Sequence, residues 1–494
     1  MALHDSTDDE GGDRLSNLPD HVLLLVLARL RDDVRLLART CVLSKRWRTL
    51  PLMLPRLVIG VKSFLPASPD GTLPMRCLRQ ATSRFADALR FFLDAPAAGQ
   101  RDIRTLRLVF TLTKHHHHLH EIGRLVSAAV ARGEVRELEV VLHTVEETES
   151  IRVTPGDAVA RGYARRFMRL FRAAPAGVLG SSLRRLALRN LCFRRASDLE
   201  GVVAACEALE TLHLNYCWPA SWSALRIDAP RSRLRELRLR ECYVERVDLV
   251  RAPELVELCC ETWFSESCPV TFAPGAAPSL KRMALVNTAA PGQLSFKLSE
   301  LLENASPLES LHLDFGTYKI WVQPESRTSL GAAFSKLKEI RVRKIFPDSD
   351  ISWTMFLLQA APVLEFLDIH VSHDPLCTGA GDGWEVEDLE WEVPDHFEHH
   401  HLRTVKIHGS IDAEDLRFAR LVMKCAVNLK LLLLNARITC DNCIAARQLD
   451  PSFVLSSFPE DKDGVDAFVR QLKEGIPTSA RILVRSVSNE EFEY

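Results

Sequence analysis

Long apolar runs are missing from this chain of 494 residues: no stretch reaches 18 consecutive apolar residues, which leaves no candidate transmembrane helix. A charge surplus is missing too. With 63 basic and 65 acidic residues the net charge is −2, so nothing global draws the chain to nucleic acid or to an anionic membrane. Met1–Asp13 is polar and acidic, without the basic start and apolar core of a secretory signal. The 13 cysteines are odd in number and sit in apolar surroundings such as Ala204-Ala205-Cys206. They read as reduced, buried small hydrophobes of an intracellular protein, with cytoplasm or nucleus as the expected setting. Signatures of chemistry are also missing: there is no Gly-x-x-x-x-Gly-Lys-Ser/Thr, no Gly-x-Ser-x-Gly and no His-Glu-x-x-His. Neither enzymatic activity nor a cofactor is expected of this chain.

What the chain has in quantity is one phrase: apolar, two variable residues, apolar, one variable, apolar. It runs from Ile103-Leu106-Leu108 and Val135-Leu138-Val140 through Leu183-Leu186-Leu188, Leu209-Leu212-Leu214, Leu234-Leu237-Leu239 and Leu255-Leu258-Cys260. It continues in Leu280-Met283-Leu285, Leu308-Leu311-Leu313, Leu337-Ile340-Val342, Leu364-Leu367-Ile369, Leu402-Val405-Ile407 and Leu429-Leu432-Leu434. From the third phrase to the tenth, successive starts lie 21 to 29 residues apart, the period of leucine-rich repeats. Apolar residues at i and i+3 would also suit a helix, but the punctuation argues for strands. Pro253, Pro278 and Pro362 stand two residues before the opening leucine and Pro307 one before, where proline stops a helix and starts an extended segment. Plausible helices lie upstream of the phrases, for example Asp198–Cys206, Lys297–Ala305 and Trp353–Ala361. The fold class is therefore α/β: a leucine-rich-repeat solenoid with a curved parallel sheet and outer helices.

Residues 14–50 are different. Leu15, Leu18 and Pro19 precede a helix carrying Val22, Leu23, Leu24, Val26, Leu27 and Leu30, which spread round most of its circumference. A second helix carries Val34, Leu36 and Leu37, and a third starts near Ser44 with Trp47 and Leu50. So short a segment cannot bury this surface alone, so another protein is expected to cover part of it. With Leu18-Pro19-Asp20, the leucine-rich first helix and Leu43-Ser44-Lys45-Arg46-Trp47, the stretch closely resembles an F-box. The F-box docks a substrate receptor onto the Skp adaptor of a cullin-based ubiquitin ligase.

Beyond the repeats, Gly379, Gly381 and Gly383 are followed by eight acids between Asp382 and Glu398, read as an exposed loop. Residues from Trp391 to Leu434 resemble, more loosely at Gly409–Glu414, the FBD region that ends many plant F-box/leucine-rich-repeat proteins. They read as a cap for the repeat array. The expected organisation is an F-box at 14–54, a joint at 55–100 containing a helix over Arg84–Leu93, leucine-rich repeats at 101–375, and acidic loop plus FBD-like cap at 376–475.

The resemblance implies the substrate-recognition subunit of a Skp–cullin–F-box ubiquitin ligase, acting by proximity and not by chemistry of its own. Its implied partners are a Skp-family adaptor, a cullin held indirectly, and a target protein of unknown identity. Two other readings stay open: a repeat scaffold outside any ligase, and a receptor in which a small ligand glues the target to the repeats, as in the auxin-receptor branch. Candidate adaptor-binding residues are Leu18, Pro19, Leu23, Leu24, Leu27, Leu43 and Trp47. Some of these fill the module's own core, and the sequence does not sort them. Candidate target-binding residues are Arg238, Arg240, Arg341 and Arg343, on the strand face turned away from the core. Charge reversal at Arg238, Arg341 and Arg343 is expected to release the target without loss of stability. No metal site is expected: the histidines at 115–118, 120 and 399–401 read as solvated runs, and Cys440 with Cys443 makes only half a zinc site.

Overall fold

In the computed structural model the described residues are 18–30, 33–66, 74–94, 103–112, 119–144, 158–172, 178–266, 268–287, 294–316, 320–345, 351–372, 397–409, 413–436, 462–485 and 491–493. Leu15, His115 to His118, the acid-rich run to residue 396, and Cys440 with Cys443 lie outside them. The chain divides into two compact units, Met1–Leu212 and His213–Tyr494.

The first unit opens with three short helices, α1 (Asp20–Arg29), α2 (Val34–Thr40) and α3 (Lys45–Thr49). Each has a local start signal. Pro19 sits at the N-cap of α1, the Asp33 side chain accepts from the amides of Arg35 and Leu36, and Ser44 Oγ accepts from Trp47 N. Four parallel strands follow in spatial order β1 (Arg56–Gly60), β2 (Ile103–Leu112), β3 (Val135–Thr144) and β4 (Leu183–Phe193). Between and after them run α4 (Met75–Asp94), α5 (Leu119–Ala131), α6 (Ala158–Arg172) and α7 (Ala196–Ala205). α4 packs on α5 and α5 on α6, a layer of helices over the strands. Within the stretch expected as a joint at 55–100, β1 pairs in parallel with β2 and adds a strand to the sheet. Leu54-Pro55-Arg56-Leu57-Val58-Ile59 carries the repeat phrase, and its three apolar residues are buried.

The second unit is one long sheet of strands β5 (Thr211–Pro219), β7 (Glu236–Arg240), β9 (Glu257–Glu261), β11 (Arg282–Val286), β12 (Ser310–Asp314), β13 (Glu339–Ile345), β14 (Phe366–Val371), β15 (Thr404–His408), β16 (Leu431–Asn435) and β17 (Arg481–Arg485), in that spatial order. From β7 to β17 each neighbouring pair is parallel, and β18 (Glu491–Glu493) closes the end antiparallel to β17. The sheet thus runs past the expected limit of the cap at 475.

Every phrase read from the sequence lies in or just before one strand of these sheets. From β5 onward the opening leucine stands two residues before the strand, in a turn. Leu255, Leu280 and Leu364 donate their amides to the carbonyls of Ala252, Ala277 and Ala361 at 3.1 Å each. Pro253, Pro278 and Pro362 thereby occupy the second position of a β-turn, where their fixed φ is already right. The second and third apolar residues then point into the core, fully buried in β12, β13 and β14.

The outer layer departs from the expected helices in one region. After β5, β7 and β9 the returning segments are strands β6 (Leu225–Asp228), β8 (Val247–Arg251) and β10 (Val270–Phe272), which pair in a second parallel sheet. The phrases there start only 21 to 25 residues apart, too little chain for a helix plus its turns. Later repeats return as α8 (Leu298–Leu301), α9 (Arg327–Phe334), α10 (Met355–Ala360) and α11 (Ala413–Cys425), and a last helix spans Lys462–Lys473.

The strand ends share a backbone device. The second residue after the last apolar position is left-handed in five repeats: Asn190, Tyr216, Glu241, Thr262 and Lys344, all at φ of 50 to 58°. In the β15 repeat the same position is Gly409, at φ 108°. Its amide reaches the Asn435 carbonyl at 2.9 Å, as Glu241 reaches Glu261 at 2.8 Å and Thr262 reaches Val286 at 2.7 Å. The chain turns out of the sheet here without leaving a donor unpaired.

Candidate functional site

The amino-terminal helices separate the apolar residues that the sequence left mixed. Leu23, Leu27, Val34, Leu37, Trp47 and Leu50 are buried, with α1 and α3 packed on the turn Leu50–Met53 and α2 on β1 and the turn Val61–Phe64. Of the candidate residues, Leu23, Leu27 and Trp47 are therefore internal supports that a partner cannot touch. Leu18 and Leu24 are half-buried, Pro19 is exposed, and Leu43 is 61% exposed. Further apolar side chains outside the candidate set are exposed too: Val42 at 82% and Leu25 at 68%, with Val26, Leu36 and Met53. Their signal was present, since α1 is apolar round most of its circumference and only one side can face inward. A further pair clips the module together. Arg46 Nε donates to Asp20 Oδ1 at 2.7 Å, and its other nitrogen donates to the Leu18 carbonyl at 2.6 Å. The two halves of the sequence motif, Leu18-Pro19-Asp20 and Leu43-Ser44-Lys45-Arg46-Trp47, are thus joined at the start of α1.

The open face of the second unit's sheet carries the candidate target-binding arginines, and every one of them already holds a carboxylate. Arg238 bonds Glu236 at 2.6 Å and Glu257 at 2.7 Å, within a chain of polar contacts from His213 through Glu236, Arg238 and Glu257 to Arg282. Arg240 reaches Glu261 at 3.1 Å, Arg341 reaches Glu339 at 2.6 Å, and Arg343 reaches Asp368 at 2.6 Å. Lys406 lies over the Phe366 ring, 5.2 Å from its centroid. Burial alone would raise the Asp368 carboxyl. The hydrogen bond to His408, with Arg343 and Lys406 nearby, holds it below the usual carboxylate range instead.

Asp368 changes one expectation. Its side chain is only 7% exposed, so reversing Arg343 would leave a buried carboxylate facing a like charge. Arg343→Ala is expected to lower stability by about 2 kcal/mol, and Arg238→Ala, whose partners are more exposed, by under about 1 kcal/mol. Urea unfolding of the two variants checks this. Equal losses would show that the depth of Asp368 does not matter.

Of the histidines at 399–401, expected from the sequence to form a solvated run, His400 and His401 are exposed but His399 is not. His399 is buried, and its Nδ1 accepts from the Leu402 amide at 3.0 Å while Nε2 contacts the Ala361 carbonyl at 2.9 Å. It supplies from its side chain the acceptor that a backbone carbonyl provides before Leu255, Leu280 and Leu364. An acceptor at Nδ1 puts the proton on Nε2, so the ring is needed neutral. Burial pushes its pKa below the ordinary 6.5, against the Ala361 hydrogen bond, which raises it. His401 Nδ1 contacts the Pro362 carbonyl, and His400 is exposed.

A lowered histidine pKa stabilises the fold above the unfolded value, and that contribution is lost as pH falls through 6.5 toward the folded value. Wild type is expected to lose up to about 1.4 kcal/mol per pH unit more than His399→Gln over that window. Urea titrations of both proteins between pH 7.5 and 5 (about neutral to mildly acid) measure the difference. Parallel curves would contradict the neutral-ring assignment.

The described cysteines are free, and most are buried. Cys217 and Cys242 stand three residues after the last apolar position of their phrases, and Cys242 Sγ contacts the carbonyls of Leu214 and Arg240 at 3.5 Å. Burial pushes the Cys242 thiol up to about 12, so it is a packed donor and not a nucleophile. Cys77, Cys259 and Cys268 are half-buried. Among the described residues no group of three or more His, Cys, Asp or Glu could hold a metal ion. Among them, too, no helix is long and apolar enough to cross a membrane.

Parallel strands recurring with this phrase, backed by short helices or strands, define a leucine-rich-repeat protein. The family model described as At1g61320/AtMIF1, LRR domain, matches residues 100–487, and the chain belongs to that leucine-rich-repeat family. It is similar to the F-box/FBD/LRR-repeat protein At5g56420 of Arabidopsis thaliana, 26% identical over 55% of this chain and 65% of that protein. It is also similar to the F-box/FBD/LRR-repeat protein At2g04230 of Arabidopsis thaliana, 27% identical over 50% of this chain and 53% of that protein. The matches thus span about half to two thirds of the length of these relatives. Together they support the resemblance to plant F-box/leucine-rich-repeat proteins.

Proposed function

We propose that this chain is the substrate-recognition subunit of a Skp–cullin–F-box ubiquitin ligase. The observation that carries the reading is the set of exposed apolar side chains Leu25, Val26, Leu36, Val42 and Leu43, all within 19 residues of chain beside buried Leu23, Leu27 and Trp47. Soluble monomers rarely leave so many large apolar side chains uncovered on three short helices, and a Skp-family adaptor is the partner that the F-box resemblance implies. On this reading residues from about 14 to 54 are the F-box, and the repeats hold a target protein.

The chain would act by tethering. The adaptor and cullin would bring an activated ubiquitin near a lysine of the bound target, raising effective concentration without a catalytic residue in this chain. Target binding at Arg238, Arg240, Arg341 and Arg343 would be an exchange. A carboxylate or phosphate of the target would replace Glu236, Glu257, Glu261 or Glu339 on the same guanidinium forks. Such an exchange adds little net affinity and much selectivity, because a wrongly placed partner strands both charges.

Co-expression of the full chain with a plant Skp adaptor and cullin tests the reading. A complex of all three in size-exclusion chromatography is the expected result. Failure of the folded chain to retain the adaptor would leave a repeat scaffold outside any ligase as the better account.

A further inference from the structure

We propose that the outer faces of α4, α5 and α6 form a docking surface for an acidic protein segment, one rich in aspartate and glutamate. These helices carry ten arginines and no lysine, against three acids, Asp87, Asp94 and Glu121. The difference, ten minus three, is +7 on three helices of a chain whose net charge is −2. Six of the arginines, Arg76, Arg79, Arg84, Arg124, Arg165 and Arg169, are exposed and have no carboxylate partner among the described residues. The contrast with the open sheet face is direct, since Arg238, Arg240, Arg341 and Arg343 are all paired there. Like charges on adjacent packed helices repel one another where they lie within a Debye length of about 8 to 10 Å, and an anionic partner would relieve that repulsion.

The same layer shows which anion its arginines fit. Arg90 on α4 grips Glu121 on α5 with two contacts of 2.6 Å, one to each carboxylate oxygen. The unpaired arginines offer the same planar fork to a carboxylate from outside. Two other polyanions fit less well. Among the described residues of these helices no large apolar side chain is exposed for a bilayer to take up, and Phe85, Leu89, Leu125 and Phe167 are buried. Among the described residues of these helices, nucleic acid would find no exposed aromatic ring to stack on.

The test uses the full chain and a fluorescein-labelled oligoglutamate peptide, followed by anisotropy at about 0.1 M and about 0.5 M salt. Replacing the six unpaired arginines by glutamine is expected to weaken binding at least tenfold at the lower salt. Replacing them by lysine, which keeps the charge, is expected to retain measurable binding. Arg184→Gln with Arg246→Gln and Arg251→Gln, arginines paired with Glu210, Asp248 and Asp228, serves as the control and is expected to leave affinity unchanged. Circular dichroism confirms that each variant is folded. Duplex RNA, and phosphatidylcholine vesicles with and without phosphatidylserine, are run in parallel. The proposal is overturned if the peptide does not bind, if the control loses as much as the six-fold variant, or if RNA or anionic vesicles bind more tightly than the peptide.

Discussion

Val42→Asp combined with Leu43→Asp is expected to weaken binding of a Skp-family adaptor about 100-fold or more, with the thermal midpoint unchanged. Val42 and Leu43 are 82% and 61% exposed, so a carboxylate at either position stays in water while the chain is alone. In a complex both carboxylates would have to be stripped of water against an apolar partner, and 100-fold corresponds to only about 2.7 kcal/mol for the pair. Trp47→Ala provides the contrast. Trp47 is buried in the module's core, so its truncation is expected to remove about 3 to 5 kcal/mol of stability, and adaptor binding is then lost through unfolding. Calorimetric titration with purified adaptor, alongside thermal melts, separates the two mechanisms. Native affinity in the double aspartate variant would move the interface off this surface.

Gly409→Ala is expected to destabilise the second unit by about 3 kcal/mol or more. A methyl group built at this position would overlap the Val371 carbonyl oxygen, which belongs to the neighbouring repeat's backbone and cannot rotate away. The backbone angle adds to this. In five other repeats the residue at this position holds φ of 50 to 58°, inside the left-handed basin that asparagine or threonine can enter, whereas 108° lies beyond it. Urea unfolding measures the loss. A change below about 1 kcal/mol would mean that the β15 repeat relaxes to the geometry of the other repeats.

The strands were legible because each needs only three apolar residues at fixed spacing, and a core facing one side of a sheet leaves that pattern in every repeat. The prolines were legible for a related reason: Pro253, Pro278 and Pro362 sit where a turn begins, so they mark the boundary that the apolar residues alone leave open. Leu54-Pro55-Arg56-Leu57 was passed over because its proline falls inside the phrase and separates it from the other repeats by more than 40 residues (β1 to β2). The outer strands β6, β8 and β10 were hidden by their length of three to five residues, too short for any period to show.

Side-chain roles were harder to read than elements. Whether an arginine is paired depends on register. Arg238 meets Glu257 across 19 positions and Arg343 meets Asp368 across 25, contacts that exist only once neighbouring strands are aligned. His399 looked like one member of a polar run because nothing in its neighbours reveals that the Leu402 amide needs an acceptor. On α1 the residue types do not distinguish core from surface: Leu23 and Leu25 are both leucines, one buried and one 68% exposed. Only the helix packing separates the residues that hold the module together from those that are free to meet a partner.

Amide hydrogen exchange of the full chain, with and without the Skp adaptor, tests the central claim most directly. Slowed exchange is expected over the helices Asp20–Arg29, Val34–Thr40 and Lys45–Thr49 and the Val42–Leu43 turn, with the repeat strands unchanged. Protection falling on the repeats, or on no part of the chain, would contradict it.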